Sequence, residues 1–487
     1  MMNMKRIFSF LLVLASVSAA FGQGCLTLDS CRAMALRQNK QLAIAGAEVD
    51  RAMYERRAAG TNYLPKVSLA AGYLYTSKEL SLLSDAQKNT LSGLGTNLGQ
   101  AMGQILQQHP DLAALVPQLQ PMLDGAVGAL NGAGQSVVDA FHTDTRQMMA
   151  GTILLTQPLY MGGKIRAYDR ITHYAEDIAR EKLRAGRQDV ILEVDQAYWQ
   201  VVSLAGKRRL ALSYRDMLQR LNGDVQLMIA EGVATKANGL NVSVKLNEAE
   251  MTLLKVEDGL TLARMLLCQV CGLPLDAAPT LAEEEAETLA AAMDSTRDYS
   301  AAEGFDRPEI NQLQYALRIY DEKVKVQRSA FLPQLALMGG YVTTYPSVTN
   351  GFERRFRGLW NVGLTLKVPV WNWGEGRYKV RAAKAEAAIA RFNLDEVTEK
   401  IHLQIRQSQF RVTEAVRKLD LSENNLQQAE ENLRTAEVGF REGVVTTTDL
   451  LAAQTAWLQA RSDQIDSQIE VMITRSTLAK ALGRLGE

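Results

Sequence analysis

The chain has 487 residues, with 54 Lys and Arg against 54 Asp and Glu, and 47% of its residues are hydrophobic. A balanced charge without a basic face excludes a nucleic-acid partner, and the length suits two or three ordinary domains or one elongated repeat. Four cysteines are too few for a disulfide framework, and four scattered histidines (His109, His142, His173, His402) assemble neither a metal site nor an acid–base pair. With no Gly-rich phosphate loop and no nucleophile elbow, neither an enzyme nor a cofactor is implied.

Lys5 and Arg6 precede an apolar run from Ile7 to Ala20, and Ala20-Phe21-Gly22 offers a small-x-small cleavage site. Residues 1–22 therefore read as a secretory signal peptide, too short in its apolar part to span a membrane. Its removal would take the formal net charge from 0 to −2, because Lys5 and Arg6 go with it. Cys25 follows Gly22-Gln23-Gly24, which lacks the aliphatic residue usual before a lipidated cysteine. No later stretch reaches about 18 apolar residues, so an exported chain of this kind is either soluble or crosses an outer membrane as a β-barrel.

Leu28-Asp29-Ser30 opens a helical pattern that is expected to run to about Gly60, where Asn62-Tyr63-Leu64-Pro65 ends it. The period then becomes two. Val67, Leu69, Ala71, Tyr73 and Tyr75 alternate with small or polar residues, the signature of a strand with one apolar face. A second strand follows over Met149, Gly151, Ile153 and Leu155, up to Gln157-Pro158-Leu159-Tyr160. Between these two strands lies an insert of about residues 80–145, rich in Gly, Gln, Leu and Ala, expected as an enlarged hairpin loop with weakly helical parts such as Leu112–Leu130.

The arrangement then repeats. Arg307-Pro308-Glu309 opens a helix up to Phe331-Leu332-Pro333-Gln334-Leu335, a strand follows through Leu337, Gly339 and Tyr341, and another runs over Trp360, Val362, Leu364 and Leu366 to Pro369-Val370-Trp371. Pro158 and Pro369 stand 211 residues apart, whereas Tyr73 and Tyr341 stand 268 apart. The 57-residue difference is the insert, which the second half lacks. The expected domains are 23–275 for the first repeat, 276–304 for an acidic linker containing Glu283-Glu284-Glu285, and 305–487 for the second repeat.

Lys164–Glu231 and Glu375–Glu442 are unpunctuated helical patterns of about 68 residues, ~100 Å each at 1.5 Å per residue. Ile405, Val412, Leu419, Leu426, Leu433 and Phe440 recur every seven residues, beside Ser408, Ala415, Ser422, Ala429 and Ala436. Large against small at heptad spacing is a coiled-coil seam. The helix returning from the first tip carries one too, in Leu246, Leu253, Leu260 and Leu267 beside Val242, Ala249, Val256, Ala263 and Val270, whereas the outgoing helix keeps a single series from Ala197 to Val225. Each long helix ends in a turn: Glu231-Gly232-Val233-Ala234-Thr235 in the first half and Glu442-Gly443-Val444-Val445-Thr446 in the second, again 211 residues apart. Gly232 and Gly443 sit where a helix ends in the left-handed region. Thr235 and Thr446 sit where the next helix takes its N-cap, with Asp449 in the first turn of the second.

Four strands cannot close a barrel, so several chains must contribute; three would give twelve strands. In this order, twice over, Arg307-Pro308-Glu309, Phe331-Leu332-Pro333-Gln334-Leu335, Gln157-Pro158-Leu159-Tyr160, Pro369-Val370-Trp371 and the two Gly-Val-x-Thr turns make the whole mature chain resemble the TolC-type outer-membrane efflux channels. The fold class this implies is mixed α and β: a duplicated unit of long coiled-coil hairpins and four membrane strands, forming a trimeric 12-stranded barrel continuous with a periplasmic helical tunnel. The resemblance implies a homotrimer in the outer membrane of a Gram-negative bacterium, in contact with outer-membrane lipid. It implies as partners a periplasmic adaptor protein and an inner-membrane pump of the RND or ABC type. It places Gly232, Val233, Thr235, Gly443, Val444 and Thr446 at the tips that meet the adaptor. It makes Asp449 a tunnel-facing aspartate at the entrance, matched in the first half by Asn238, with Phe440 packing nearby. The arginine of the family's ionic latch has no counterpart at Val445. Read on its own residues, Asp449 is equally a first-turn acid that stabilises its helix. The expected function is the exit duct of a tripartite efflux system for small molecules. The alternatives are the outer-membrane component of type I protein secretion, or a coiled-coil envelope protein without transport.

Overall fold

The computed structural model describes residues 25–77, 81, 83–108, 116–142, 144–285, 306–347 and 353–486. The expected signal peptide and most of the expected linker lie outside the described residues. The elements, in order, are α1 Leu28–Gln38, α2 Lys40–Gly60, β1 Lys66–Tyr75, α3 Asp85–Ser92, α4 Leu94–Gln108, α5 Val116–Ala140, β2 Gln147–Met161, α6 Lys164–Ala230, α7 Lys236–Cys271, α8 Pro308–Ser329, β3 Gln334–Tyr345, β4 Arg357–Lys367, α9 Glu375–Arg441 and α10 Thr447–Ala481. They divide between a helical unit (1–57, 169–324, 381–487) and a sheet unit (58–168, 325–380).

The sheet unit is a four-stranded antiparallel sheet in the order β1-β2-β3-β4. Its register aligns the apolar series of all four strands on one face: Leu69 opposite Ile153, Ile153 opposite Tyr341, and Tyr341 opposite Trp360. Leu69, Ile153, Tyr341 and Trp360 are all exposed, so this apolar band is uncovered in the single chain. The opposite face carries Ser68, Thr152, Thr344 and Asn361. Tyr341 lies over Gly358, where a Cβ would fall within 2.1 Å of its ring carbon, so the aromatic ring occupies the space a side chain would need. β2 continues past Leu155 to Met161 by way of a register shift between Pro158 and Tyr160. A proline has no N–H for the ladder, and a bulge is where a paired strand tolerates one.

The insert is more ordered than its composition suggested. It holds three helices, and α5 begins at Val116, with residues 112–115 of the expected helical stretch outside the described residues. The helices approach at glycines: a Cβ on Gly95 would sit 2.1 Å from the Val127 carbonyl oxygen, and one on Gly134 would sit 1.8 Å from that of Leu91. Asn131 of α5 accepts hydrogen bonds from the amides of Gly95 (2.8 Å) and Thr96 (3.1 Å), satisfying the start of α4 from a neighbouring helix. The glycines that read as loop are contact points between helices.

In the helical unit, the expected single helix from Leu28 to Gly60 is two. Asn39 adopts an extended conformation, and its Oδ1 accepts from the amides of Gln41 (2.8 Å) and Leu42 (3.3 Å), which caps α2 afresh. An Asn side chain that competes for backbone donors in this way ends a helix without Gly or Pro. The α9 seam is as its heptads required. Ile401, Ile405 and Val412 pack with Leu478, Ala481 and Leu482 of the α10 end; Ala415 and Leu419 pack with Val471. α6 shows only one heptad series because between Val190 and Ala205 it is buried on several sides, against α1, α7 and α10. Asp195, fully buried on α6, receives both Nε and Nη2 of Arg32 from α1 at 2.7 Å each. Burial works to lower the Arg32 guanidinium, but the bonds to Asp195 more than offset it and raise it above its ordinary value.

The described start of the acidic linker is held, not free. Leu281 bridges to Leu26, Tyr198 donates its hydroxyl to Glu283, and Arg264 binds Glu284 at 2.9 Å.

The Arg307-Pro308-Glu309 motif is a helix clamp. Pro308 starts α8, where its missing N–H removes no helical bond. Arg307 is 5% exposed and donates to the carbonyl of Ala481 (2.9 Å), left over at the end of α10, and to that of Lys480 (3.4 Å), which also accepts from the Gly483 amide (2.8 Å). Glu309 holds the guanidinium by two bonds of 2.9 Å. Arg307→Ala is expected to destabilise the helical unit by about 3 kcal/mol, since it orphans the Ala481 carbonyl and removes charge-assisted bonds; denaturant unfolding of the helical signal measures it. Burial works to raise the Glu309 carboxyl, but Arg307 outweighs it and holds the group below its ordinary value of 4.5. Its stabilising contribution is therefore complete above that value and lost as pH falls through the lowered one. The stability gap between wild type and Glu309→Gln should accordingly close as pH falls below the ordinary value of 4.5.

Candidate functional site: the two hairpin turns

The turns that join α6 to α7 and α9 to α10 match bond for bond. In the first, the amide of Gly232 bonds the carbonyl of Ile229 (3.1 Å) and that of Val233 bonds Met228 (2.8 Å). In the second, Gly443 bonds Phe440 (3.1 Å) and Val444 bonds Gly439 (2.9 Å). These are the two reverse bonds of a Schellman motif, which requires a left-handed residue between them. Gly232 has φ +73° and Gly443 has φ +75°.

Each turn ends in an N-cap. Thr235 Oγ1 accepts from the Asn238 amide at 3.3 Å, and Thr446 Oγ1 accepts from the Asp449 amide at 3.2 Å. Asp449 adds a reciprocal contact, its Oδ2 accepting from the Thr446 hydroxyl at 2.7 Å. The first half cannot copy this with the same charge, because Asn238 stands at the matching position. Asp449, Val233 and Val444 are exposed at the turns.

Beneath the caps the two hairpins share one core. Leu218, Leu221 and Val225 of α6, Val242 and Ala249 of α7, Leu433 and Ala436 of α9, and Leu450, Leu451 and Ala453 of α10 form a single cluster. Phe440 and Val445 pack on its edge, so Phe440 is engaged within its own chain. Two glycines that the heptads did not single out make this packing possible. A Cβ on Gly239 would sit 2.8 Å from Ile229 Cδ1, and one on Gly439 would sit 2.5 Å from Val445 Cγ2. The available signal was their distance from the turns, since Gly239 lies four residues after the Thr235 cap and Gly439 four before the left-handed Gly443. One turn beyond the caps, an open groove of about 710 Å³ runs between α7 and α10, lined by Val244, Lys245, Thr448, Leu451, Ala452 and Thr455 among others.

Nothing chemical converges here. Among the described residues no cluster of His, Cys, Asp and Glu could hold a metal, and no helix is long and apolar enough to cross a membrane. What the site offers is shape: two exposed turns, two caps and a groove.

The family model for the outer membrane efflux protein matches residues 111–273 and 305–484, which cover both hairpins and both strand pairs but for β1. The chain belongs to the outer membrane efflux protein family. It is 22% identical over 387 residues to the outer membrane efflux protein BepC of Brucella suis, covering 78% of this chain and 80% of BepC. It is 20% identical to the proteases secretion protein PrtF of Dickeya chrysanthemi, over 99% of this chain and 94% of PrtF. Its fold is similar to that of the outer membrane protein VceC of Vibrio cholerae, with a TM-score of 0.70 at 16% identity over 94% of this chain and 96% of VceC. As an outer membrane efflux protein the chain works in transport at the outer membrane, and its turns and seams are to be judged as parts of a channel.

The turns set a stability expectation. A Cβ on Gly232 or Gly443 would meet nothing within 4 Å, so substitution is opposed by backbone geometry alone. Gly443→Ala should cost about 1–2 kcal/mol, and Thr446→Ala about 1 kcal/mol through the lost cap. Both should appear as faster amide hydrogen exchange at Val444 and Asp449, with exchange along the α9 seam near Val412 unchanged.

Proposed function

We propose that three copies of the chain assemble into one outer-membrane channel, with twelve strands closing a barrel and the helical hairpins forming the tunnel. The observation that carries this is the sheet. Four strands present an unbroken apolar face and two open edges, a state that lipid does not tolerate in a single chain. Apolar side chains exposed on the long helices support it: Val244, Met251 and Leu254 on α7, and Leu403, Phe410 and Leu421 on α9 have no cover in the single chain. Mass measurement of the detergent-purified protein should give three protomers. A stable monomer with all strand amides protected from exchange would overturn the assembly.

In this reading the chain is the exit duct of a tripartite system, taking cargo from a periplasmic adaptor and an inner-membrane pump. Cargo is set upstream. A relative named for efflux and another named for protease secretion stand at nearly equal identity to this chain, so the duct's sequence does not select between small molecules and proteins.

Asp449 is the proposed charge at the entrance, where three carboxylates in a trimer would favour cations. Asn in its place keeps an oxygen that can accept from Thr446, so the cap survives while the charge goes. Asp449→Asn should thus leave trimer content unchanged and reduce cation preference and divalent-cation block in planar bilayers. Unaltered selectivity would reduce Asp449 to a helix cap.

Gly232, Val233, Thr235, Gly443, Val444 and Thr446 are the proposed surface for the adaptor. Replacing both glycines with Leu should distort the turns while the cores below them and the sheet still form. The expected result is normal outer-membrane trimer content, loss of adaptor in pull-down, and substrate accumulation in cells. Normal export without adaptor binding would refute a partner-dependent duct.

A further inference from the structure

Three thiols are buried in the core of the helical unit: Cys31 on α1, and Cys268 and Cys271 on α7. Cys25, just ahead of α1, is exposed. The structure supplies Cys271 with a partner 240 residues away in the chain.

Cys31 and Cys271 are both 0% exposed. The Cys271 thiol donates to the Cys31 carbonyl oxygen at 3.8 Å, and both cysteines belong to one buried cluster. Cys268 points elsewhere, its Sγ 3.0 Å from the Ala277 carbonyl. The pair therefore joins two separate helices, α1 and α7, whereas Cys268 and Cys271 lie three residues apart on one helix. A soft-metal site is not the better reading, since no group of three ligands converges among the described residues.

We infer that Cys31 and Cys271 form a disulfide in the exported protein. An outer-membrane protein folds beyond the inner membrane, where disulfides form and persist, and the docking of α1 on α7 brings these two buried cysteines together, the thiol of one 3.8 Å from the backbone of the other. The step requires an oxidant, here the disulfide of an envelope dithiol–disulfide oxidoreductase. One cysteine of the pair loses its proton and attacks the enzyme's disulfide, releasing one enzyme thiolate. The other then loses its proton and attacks the first one's Sγ in the mixed disulfide, releasing the second. Two electrons and two protons leave the pair, and the oxidoreductase ends as a dithiol. Because both sulfurs are sealed in the folded core, the exchange must precede the docking of α1. The bond then pins the same turn of α1 that Arg32 ties to Asp195.

The test uses the full chain from outer membranes. Cells are quenched in acid, free thiols are alkylated in denaturant without reductant, and the digest is mapped by mass spectrometry. The expected result is a linked pair of peptides containing Cys31 and Cys271, at least about tenfold over their alkylated forms, with Cys25 and Cys268 alkylated. Reduction before alkylation should abolish the linked species. Alkylation of both Cys31 and Cys271 in the unreduced sample, or a Cys268–Cys271 linkage in its place, would overturn the inference. In a second measurement, reducing the native protein should speed amide exchange in α1 several-fold, and Cys31→Ser should show the fast rate without reductant. An exchange rate in α1 that ignores reduction would also count against the bond.

Discussion

The outer edges of β1 and β4 each present a row of amide and carbonyl groups with no neighbouring strand among the described residues. In hydrocarbon each such group costs several kcal/mol, and no side chain can stand in for a missing strand. The apolar face of the same sheet leaves water as poor an option, because Leu69, Trp360, Val362 and Leu364 lie uncovered on it. In the proposed assembly both demands would be met at once, by further copies of the sheet joined edge to edge in lipid. The exposed apolar residues of α7 and α9 make the parallel demand in water, since a side chain such as Phe410 gains nothing until another helix covers it. A chain built this way is half of every contact it needs.

Duplication explains how one chain came to offer these surfaces twice, and the backbone preserves the record better than the side chains do. Left-handed residues occur at Gly162 and Gly163, at Gly232 and at Gly272 in the first half, and at Trp373 and Gly374, at Gly443 and at Gly483 in the second. Every pair stands 211 apart. Seven of these eight are glycine, as the conformation requires, and Gly486 near the C-terminus is a ninth positive-φ position without a counterpart in the first half. Trp373 is the exception, with φ +52°, a geometry that costs a bulky residue about 1–2 kcal/mol. Its ring meets Trp371 edge to face with centroids 5.7 Å apart, and both rings are exposed. The aromatic pair stands exposed just before α9, at a corner where the first half has Tyr160 in place of Trp371 and Gly162 in place of Trp373.

The long helices, their ends, the strands and the turns were legible because each rests on a local rule: heptads for Ile405 to Leu433, alternation for Val67 to Tyr75, glycine and threonine for the turns. What escaped was settled by contacts distant in sequence. Asp195 looks like any helical acid until Arg32 is found on it, 163 residues away. Gly95 and Gly134 look like loop residues until helices are seen to meet there. Asn39 is the local exception, breaking a helix through the amides of Gln41 and Leu42 with a side chain no more conspicuous than its neighbours. The gate and adaptor residues are a different matter. Their places in the turns followed from spacing, but the roles assigned to them belong to an assembly of several chains.

The turns themselves combine rigidity with an empty surround. Their backbone is fixed by two reverse bonds and a cap, yet a side chain added at Gly232 or Gly443 would touch nothing. Immediately past each cap, burial resumes with Gly239 in one hairpin and with Thr447, Leu450 and Leu451 in the other. A surface with fixed backbone and no packing duty can take on residues for a partner at almost no cost to the fold. The core behind it is tighter, since a Cβ at Gly239 would press on Ile229 and one at Gly439 on Val445. On the proposed role of the turns, recognition would vary at Val233, Val444 and their neighbours, while the glycines beneath keep each turn packed on its own hairpin.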